Sequence, residues 1–373
     1  MAKREILILS SWYPTKHHPF LGNFVARNAQ LLNQHYNVTV INTIPSDTIS
    51  KLSLKDEQNL GYREIQVTHP RGKYGYSKHY WQKKALKQAF LEINRIDLVI
   101  GHILLPKALQ FTLAKKKFKA PLILVEHGSY YRAELRKKWH YLHEIMLRYT
   151  RKKISEVVAV SSFLVQNIKH DFPKHDIKVI GNHIDTSTFI LGEHKPSKRT
   201  NFLHISTLDP STKNPQGILD ACKLLHENKI DFHLTIVCDE DYSKWEEIVV
   251  SKGLREHIHF AGPLEWTDLV PFYQQSDAFI LNSDYESFSI VLAEAWATGT
   301  PVISPPVGIA HELNPELGIQ TKKNNSESLK TAMQTMIETK FNYSQHQLRE
   351  HAMQFSEQAI LNQWTQLIDK YVK

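Results

Sequence analysis

The sequence predicts an α/β protein made of two doubly wound parallel-sheet domains. Short apolar segments alternate with longer stretches of helical period along most of the chain, which is the pattern of parallel strands flanked by helices. That alternation runs through once, breaks at a stretch without period, and then runs through again. A chain of 373 residues has the length of two ordinary domains, and 42% hydrophobic residues with 10% aromatics can fill two cores. Disorder as the main state is excluded.

In the first half the spacing predicts strands at Ile6–Ser10, Val38–Ile44, Asp97–His102, Leu122–His127, Val157–Ser161 and Lys178–Asn182. The first helix opens after Gly22, with Phe24, Asn28, Leu31, Leu32 and His35 spaced to share one face. In the second half the strands fall at Phe202–Ser206, His233–Cys238, His257–Ala261, Ala278–Ser283 and Val302–Ser304. Residues 186–200 lack a period and carry turn formers, so they are read as a linker between a domain over 1–185 and another over 201–355. Ile360, Trp364, Leu367, Ile368 and Tyr371 form an apolar stripe after the N-cap candidate Ser356. No strand follows, so residues 356–373 form a helix that must dock on a surface already built, and it is expected to pack back on the first domain.

Two cysteines, Cys222 and Cys238, are too few for a disulfide framework, which points to a reducing compartment. No apolar run reaches the length of a membrane span, and the start lacks a signal peptide's apolar core, so a cytoplasmic protein is expected. Residues 1–185 carry 30 Lys and Arg against 14 Asp and Glu, a net +16, whereas 186–373 carry 16 against 24, a net −8. A basic half attracts phosphates or anionic head groups, or its lysines simply solvate helix faces.

Open parallel sheets bind ligands at the carboxyl ends of their strands, where loops lead into helix N-termini. The richest strand end is Asn282-Ser-Asp-Tyr-Glu286-Ser-Phe-Ser-Ile-Val-Leu-Ala-Glu294. Glu286 falls in the loop, a helix opens near Ser287–Ser289, and the N–H groups of Phe288, Ser289 and Ile290 could hold a phosphate. Glu294 lies one to two turns into the helix, on a partly buried face where a carboxylate needs donors such as ribose hydroxyls. The alternative is a glutamate that complements the helix dipole and a second, solvated one.

Glu286 and Glu294 form an E-x7-E element that resembles the retaining glycosyltransferases of family 4. Ser10-Ser-Trp-Tyr-Pro14 with His18-Pro-Phe-Leu-Gly22-Asn-Phe24, Glu126-His127-Gly128, Asn182 to Asp185, Phe260-Ala-Gly262, Ser276-Asp277 and Thr298-Gly-Thr-Pro301-Val-Ile303 extend the resemblance over nearly the whole chain. It implies the GT-B fold, two Rossmann-like domains facing a central cleft. It also implies that Gly22 approaches the donor diphosphate, that His127 lies beside the transferred sugar, that Glu286 contacts the sugar and that Glu294 contacts the ribose. Lys213 matches the family's phosphate-binding Lys, while Thr207 stands where an Arg is expected. Ser289 and His183 stand where the family usually has Gly.

Asp239-Glu240-Asp241 looks like a D-x-D metal motif, but acidic residues before a helix also complement its dipole, and the 21 histidines show no paired ligand spacing. No metal site and no cofactor are expected. Basic and aromatic residues interleave at 71–84, with Tyr74, Tyr76, Trp81, Lys83 and Lys84, and at 136–148, with Lys137, Lys138 and Trp139. These segments fit an anionic membrane surface or a solvated amphipathic face, and no nucleic-acid motif accompanies them.

The expectation is therefore a metal-independent retaining glycosyltransferase of hexosyl or N-acetylhexosaminyl type, with a UDP- or GDP-sugar as donor. Its acceptor would be an acidic or lipid-linked glycan, met in the cytoplasm or peripherally at the inner face of the membrane. A nucleotide-sugar epimerase or sugar phosphorylase on the same fold, and a catalytically weak sugar-binding protein, are the alternatives.

Overall fold

The computed structural model describes residues 3–15, 18, 21–73, 75–131, 141–193 and 198–372. The chain divides into two compact units, one of residues 1–160, 164–182 and 361–373, the other of 161–163 and 183–360.

In the first unit the strands are β1 (Glu5–Ser10), β2 (Asn37–Ser46), β3 (Ser53–Asn59), β4 (Tyr62–Pro70), β5 (Leu98–His102), β6 (Leu122–Glu126), β7 (Glu156–Ala159) and β8 (Lys178–Val179). They form one sheet in the order β3-β4-β2-β1-β5-β6-β7-β8. All neighbours are parallel except β3 and β4. Ile6 to Leu9 and Leu98 to Ile100 are wholly buried because helices cover both faces, which is why these strands read as unbroken apolar runs. Helices α1 (Asn23–Asn33), α2 (Gly75–Ala89), α3 (Ala108–Phe118), α4 (Tyr141–Arg151) and α5 (Ser162–Ile168) make the crossovers. The buried side of α1 is Val25, Ala26, Asn28, Ala29, Leu31 and Leu32, while Phe24 turns to another partner and His35 is exposed.

The hairpin of β3 and β4 is absent from the sequence reading. Its turn, Leu60-Gly61, has φ of 49° and 87°, and the left-handed conformation at both positions matches the twist of the flanking strands.

The second sheet has the order β11-β10-β9-β12-β13-β14, all parallel, from β9 (Thr200–Ile205), β10 (Phe232–Val237), β11 (Ile258–Gly262), β12 (Ala278–Ile280), β13 (Val302–Ser304) and β14 (Gly318–Gln320). The chain winds outward from β9 in one direction and then from β12 in the other, so the topological switch point lies between β9 and β12. The same rule puts the first sheet's switch point between β1 and β5. The helices are α6 (Pro215–Glu227), α7 (Ser243–Ser251), α8 (Val270–Gln274), α9 (Ile290–Ala297), α10 (Ser326–Thr339), α11 (Gln345–Ala352) and α12 (Glu357–Asp369).

Residues 183–193, read as hinge and linker, are built into the second unit. Phe189 packs on Trp266 and Tyr273 with ring centroids 4.9 and 5.9 Å away. Arg349 donates to the carbonyls of Thr186 and Ala297 at 2.7 and 2.8 Å and also to that of Phe189. The stretch lacks a period because side-chain anchors, not a ladder or helix, hold it. Ser356 caps α12, its Oγ accepting from Ala359 N at 3.3 Å. From Leu361 the chain belongs to the first unit, where Lys370 Nζ and Tyr371 Oη both donate to Glu156 Oε2 at 2.9 Å. Trp364 and Ile368 are buried.

Both cysteines are free and buried. Among the described residues no helix is long and apolar enough to cross a membrane. Trp81, expected as an exposed aromatic, is half-buried with Tyr80 edge-on against it at 5.4 Å, while Tyr80 itself is 50% exposed. Tyr74, Lys137, Lys138 and Trp139 lie outside the described residues.

Candidate active site

In the second unit the loops leaving β9 and β12 flank the switch point and are tied together. Asp284 N donates to Thr212 O at 2.8 Å, and Asn282 Nδ2 donates to Asn214 O at 3.1 Å. Asp209 shapes the first loop. Its carboxylate accepts from Ser211 N, Ser211 Oγ and Thr212 Oγ1, and those donors hold it below the usual carboxylate range against the opposing effect of burial. Its carbonyl accepts from Lys213 N at 2.8 Å, which delivers Lys213 to the site. Lys213 Nζ then donates to Glu286 Oε1 at 2.6 Å, and Ser283 Oγ donates to the same oxygen at 2.7 Å. The strand-end cation and loop carboxylate picked from the sequence are thus direct partners.

Beneath them His204 is fully buried. Its Nδ1–H donates to Ile280 O at 2.8 Å, so Nε2 is the lone-pair nitrogen and accepts from Ser206 Oγ at 2.8 Å. Burial lowers its pKa to about 4, so it supplies no charge at neutral pH in place of the arginine missing at Thr207. Thr207 is half-buried, between Ser206 and the left-handed Leu208.

Helix α9 starts at Ile290, slightly later than the sequence suggested, because Ser289 caps it with φ 76°. This left-handed backbone is the reason a glycine would suit the position. Ser289 and Phe288 are both buried. Phe288 O accepts from Ile309 N at 2.9 Å, and at Gly308 a Cβ would stand 2.3 Å from that same oxygen. Glu294 is 2% exposed, which removes the solvated alternative. Trp266 Nε1 donates to Oε1 at 2.8 Å and Tyr273 Oη to Oε2 at 3.1 Å, so the carboxylate has protein donors of its own.

The first unit carries the other candidates. His127 stacks on Phe24 with centroids 4.2 Å apart, and its Nε2 shares a proton with His102 Nδ1 at 3.0 Å. Burial pushes both imidazoles down, His102 to about 3, so both are neutral at pH 7. His127 Nδ1 is buried without a protein partner. Next to it, Glu126 Oε1 accepts from Leu104 N at 3.0 Å and from Tyr131 Oη at 2.6 Å, while burial raises its carboxyl to about 7. Gly22 has φ 72°, and an added Cβ would lie 2.6 Å from Trp12 O. Its glycine is therefore required by its own loop, in addition to any part in ligand approach.

Asp241 of the D-x-D stretch accepts from Ser243 N at 3.0 Å and Ser243 Oγ at 2.6 Å at the start of α7. Among the described residues no group of three His, Cys, Asp or Glu is placed to hold a metal ion.

Two mainly parallel sheets with candidate residues at the carboxyl ends of their strands fit the GT-B class of glycosyltransferase. Sequence comparison agrees: residues 21–188 match the family model "Glycosyltransferase Family 4" and residues 188–359 the model "Glycosyl transferases group 1". The chain belongs to this group 1, family 4 glycosyltransferase family.

Among curated relatives, a D-inositol 3-phosphate glycosyltransferase of Pseudarthrobacter chlorophenolicus is 26% identical over 263 residues, 66% of this chain and 57% of its own. An MMP alpha-(1->4)-mannosyltransferase of Mycolicibacterium hassiacum is 26% identical over 51% of this chain, and the match spans 46% of that protein. Sucrose-phosphate synthase from Thermosynechococcus elongatus superposes with a TM-score of 0.78 at 16% identity, covering 99% of both chains. Anabaena Alr3699/HepE, solved with UDP and glucose, gives 0.69 at 18% identity over 98% of this chain and 100% of its own. At these identities the structural likenesses establish the fold.

Proposed function

We propose that the protein is a retaining, metal-independent glycosyltransferase that moves a hexosyl or N-acetylhexosaminyl group from a UDP- or GDP-sugar to a glycan or lipid-linked acceptor. The setting would be cell-surface polysaccharide or glycolipid synthesis, at the cytoplasmic face of the membrane. The observation that carries this reading is the Lys213–Glu286 pair at the β9/β12 switch point. An ammonium has three protons, so Lys213 can keep Glu286 while donating to a donor diphosphate, and the charge it adds stabilises the leaving group. Glu286 is then beside the sugar. Glu294, oriented by Trp266 and Tyr273, takes the ribose hydroxyls. His127 offers Nδ1, the nitrogen not engaged by His102, to a sugar hydroxyl.

In the retaining reaction the diphosphate leaves from the face the acceptor attacks, so no carboxylate nucleophile is required. The mannosyltransferase among the relatives favours a hexosyl donor. A thermal-shift panel of UDP, GDP and their sugars tests the donor assignment, because a ligand at 100 times its Kd adds about 2.7 kcal/mol of stability. Nucleotide release that depends on an added acceptor separates a transferase from an epimerase or phosphorylase. Absence of any shift with an intact fold overturns the reading.

A further inference from the structure

The first unit's switch point holds a lysine that nothing above employs. Lys107 lies in the loop between β5 and α3, beside the loop that leaves β1. Ser11 N donates to His102 O at 3.1 Å, and Ser11 Oγ accepts from Lys107 N at 3.2 Å. These bonds clamp the two loops together where ligands of open α/β sheets bind.

From this position the side chain runs to β2, where Nζ donates to Thr43 O at 3.4 Å, a long bond to a neutral acceptor. Among the described residues no carboxylate comes within ion-pair distance of this ammonium. The buried His69, at the end of β4, lies within the reach of its charge. His69 donates Nδ1–H to Pro70 O at 2.8 Å, and burial first, then the Lys107 and Arg71 charges, hold it neutral. Lys107 is itself mostly buried, and burial lowers its pKa to about 8, so at pH 7 the amine is still cationic.

A buried charge is ordinarily paired, because leaving water costs it several kcal/mol. A lysine kept for packing alone would bury its stem and extend its head into water. Lys107 instead turns its head across β1 to Thr43 of β2, while its backbone caps the N-terminus of the 11-residue α3, whose dipole adds positive potential there. The Lys107 and Arg71 charges favour an anion, and the Thr43 carbonyl is the weak neutral acceptor that an anion would replace.

We infer that Lys107 is the receptor for an anionic group of the acceptor, a phosphate or a carboxylate, seated at the strand ends on the β2 side of the β1/β5 switch point with Ser11 and Thr43 beside it. The assignment of that anion to the acceptor rests on the proposed function, whereas the anion site itself does not.

The test uses the full chain with lysine side chains isotopically labelled for NMR, in a Lys213→Ala background that disables the second unit's phosphate cation. The signal lost in Lys107→Arg identifies Lys107. Inorganic phosphate and acetate are the two probes. A saturable shift of this signal with phosphate but not acetate supports a phosphorylated acceptor, and the reverse supports a carboxylated one. Either should be accompanied by an upward move of the lysine's titration midpoint. Thermal stabilisation by the effective probe should persist in Lys107→Arg and vanish in Lys107→Met. A signal unmoved by both probes, or stabilisation undiminished in a folded Lys107→Met, overturns the inference. Nucleotide-sugar binding is unaffected by that outcome and is tested separately by the ligand panel.

Discussion

Lys213 and Glu286 lie 73 residues apart in sequence, yet Nζ and Oε1 meet at 2.6 Å where the second sheet changes direction. With side chains 24% and 15% exposed, the pair is partly screened by solvent, so its worth to stability is modest. Its significance is positional, since it fixes the cation and the carboxylate at one point.

Lys213→Ala should therefore weaken nucleoside diphosphate binding by one to two powers of ten, from loss of a charge-assisted bond of about 1.5–3 kcal/mol. Binding of the bare nucleoside should hardly change, as calorimetric titration of both ligands would show. Equal losses for the two would remove Lys213 from phosphate binding. Glu286→Ala should lower kcat more than it raises the donor Kd.

Glu294→Ala should weaken donor binding and also destabilise the fold. Removing the carboxylate leaves Trp266 Nε1 without this acceptor, at about 1–3 kcal/mol, while Tyr273 Oη loses the shorter of its two bonds and keeps Val291 O at 3.3 Å. Urea denaturation should show the loss, with part of it restored in Glu294→Gln. An alanine variant as stable as the parent would contradict the contacts described.

Gly22→Ala should destabilise the protein before any ligand is considered. A left-handed backbone costs a residue with a Cβ roughly 1–2 kcal/mol, and the contact with Trp12 O forces a shift in addition. A denaturation midpoint equal to that of the parent would show that the first loop adapts freely.

What the sequence made legible was whatever depends on local pattern. Ile6 to Leu9 and Leu122 to Val125 read as strands because burial on both faces demands unbroken apolar runs. The hairpin is not legible because β3 is a mostly polar edge strand and its turn places Leu60 where Asn or Gly would signal φ above zero. Lys213, Glu286 and Glu294 stood out by residue type at strand ends. Their settings did not, since Trp266 and Tyr273 reach Glu294 from 28 and 21 residues away, and His102 reaches His127 from 25. Such contacts have no period, and only the strand order creates them. Lys107 carries no such mark, being one of 30 Lys and Arg in the basic half.

The exposed Lys83 and Lys84 of α2 should give the protein a salt-sensitive affinity for anionic vesicles, which fades as the Debye length shrinks to about 8 Å at physiological ionic strength. Sedimentation with neutral and anionic liposomes, for the parent and for Lys83→Glu/Lys84→Glu, measures this. Equal partitioning of the parent onto both lipids would leave these lysines as solvated surface.

Stability should carry a pH signature from Glu126. Its carboxyl titrates near 7 in the folded chain because burial, aided slightly by Asp171, outweighs the bonds from Tyr131, Leu104 and Gly128, against an ordinary value of 4.5. Between those two values the unfolded chain has lost a proton that the folded chain keeps. The folded state binds more protons there, so the Glu126 contribution is full below pH 4.5 and declines as pH rises to about 7, by up to about 3 kcal/mol. His102 and His127 act in the opposite sense. Burial keeps them neutral in the fold while the unfolded chain protonates near 6.5, so their contribution is lost as pH falls below that value. The Glu126 slope is thus masked in the parent below pH 6.5, and comparison with Glu126→Gln exposes it. The stability of the parent relative to Glu126→Gln should fall steadily from pH 4.5 to 7 and then level off. A difference independent of pH across that window would show that Glu126 ionises in the folded protein as it does in water.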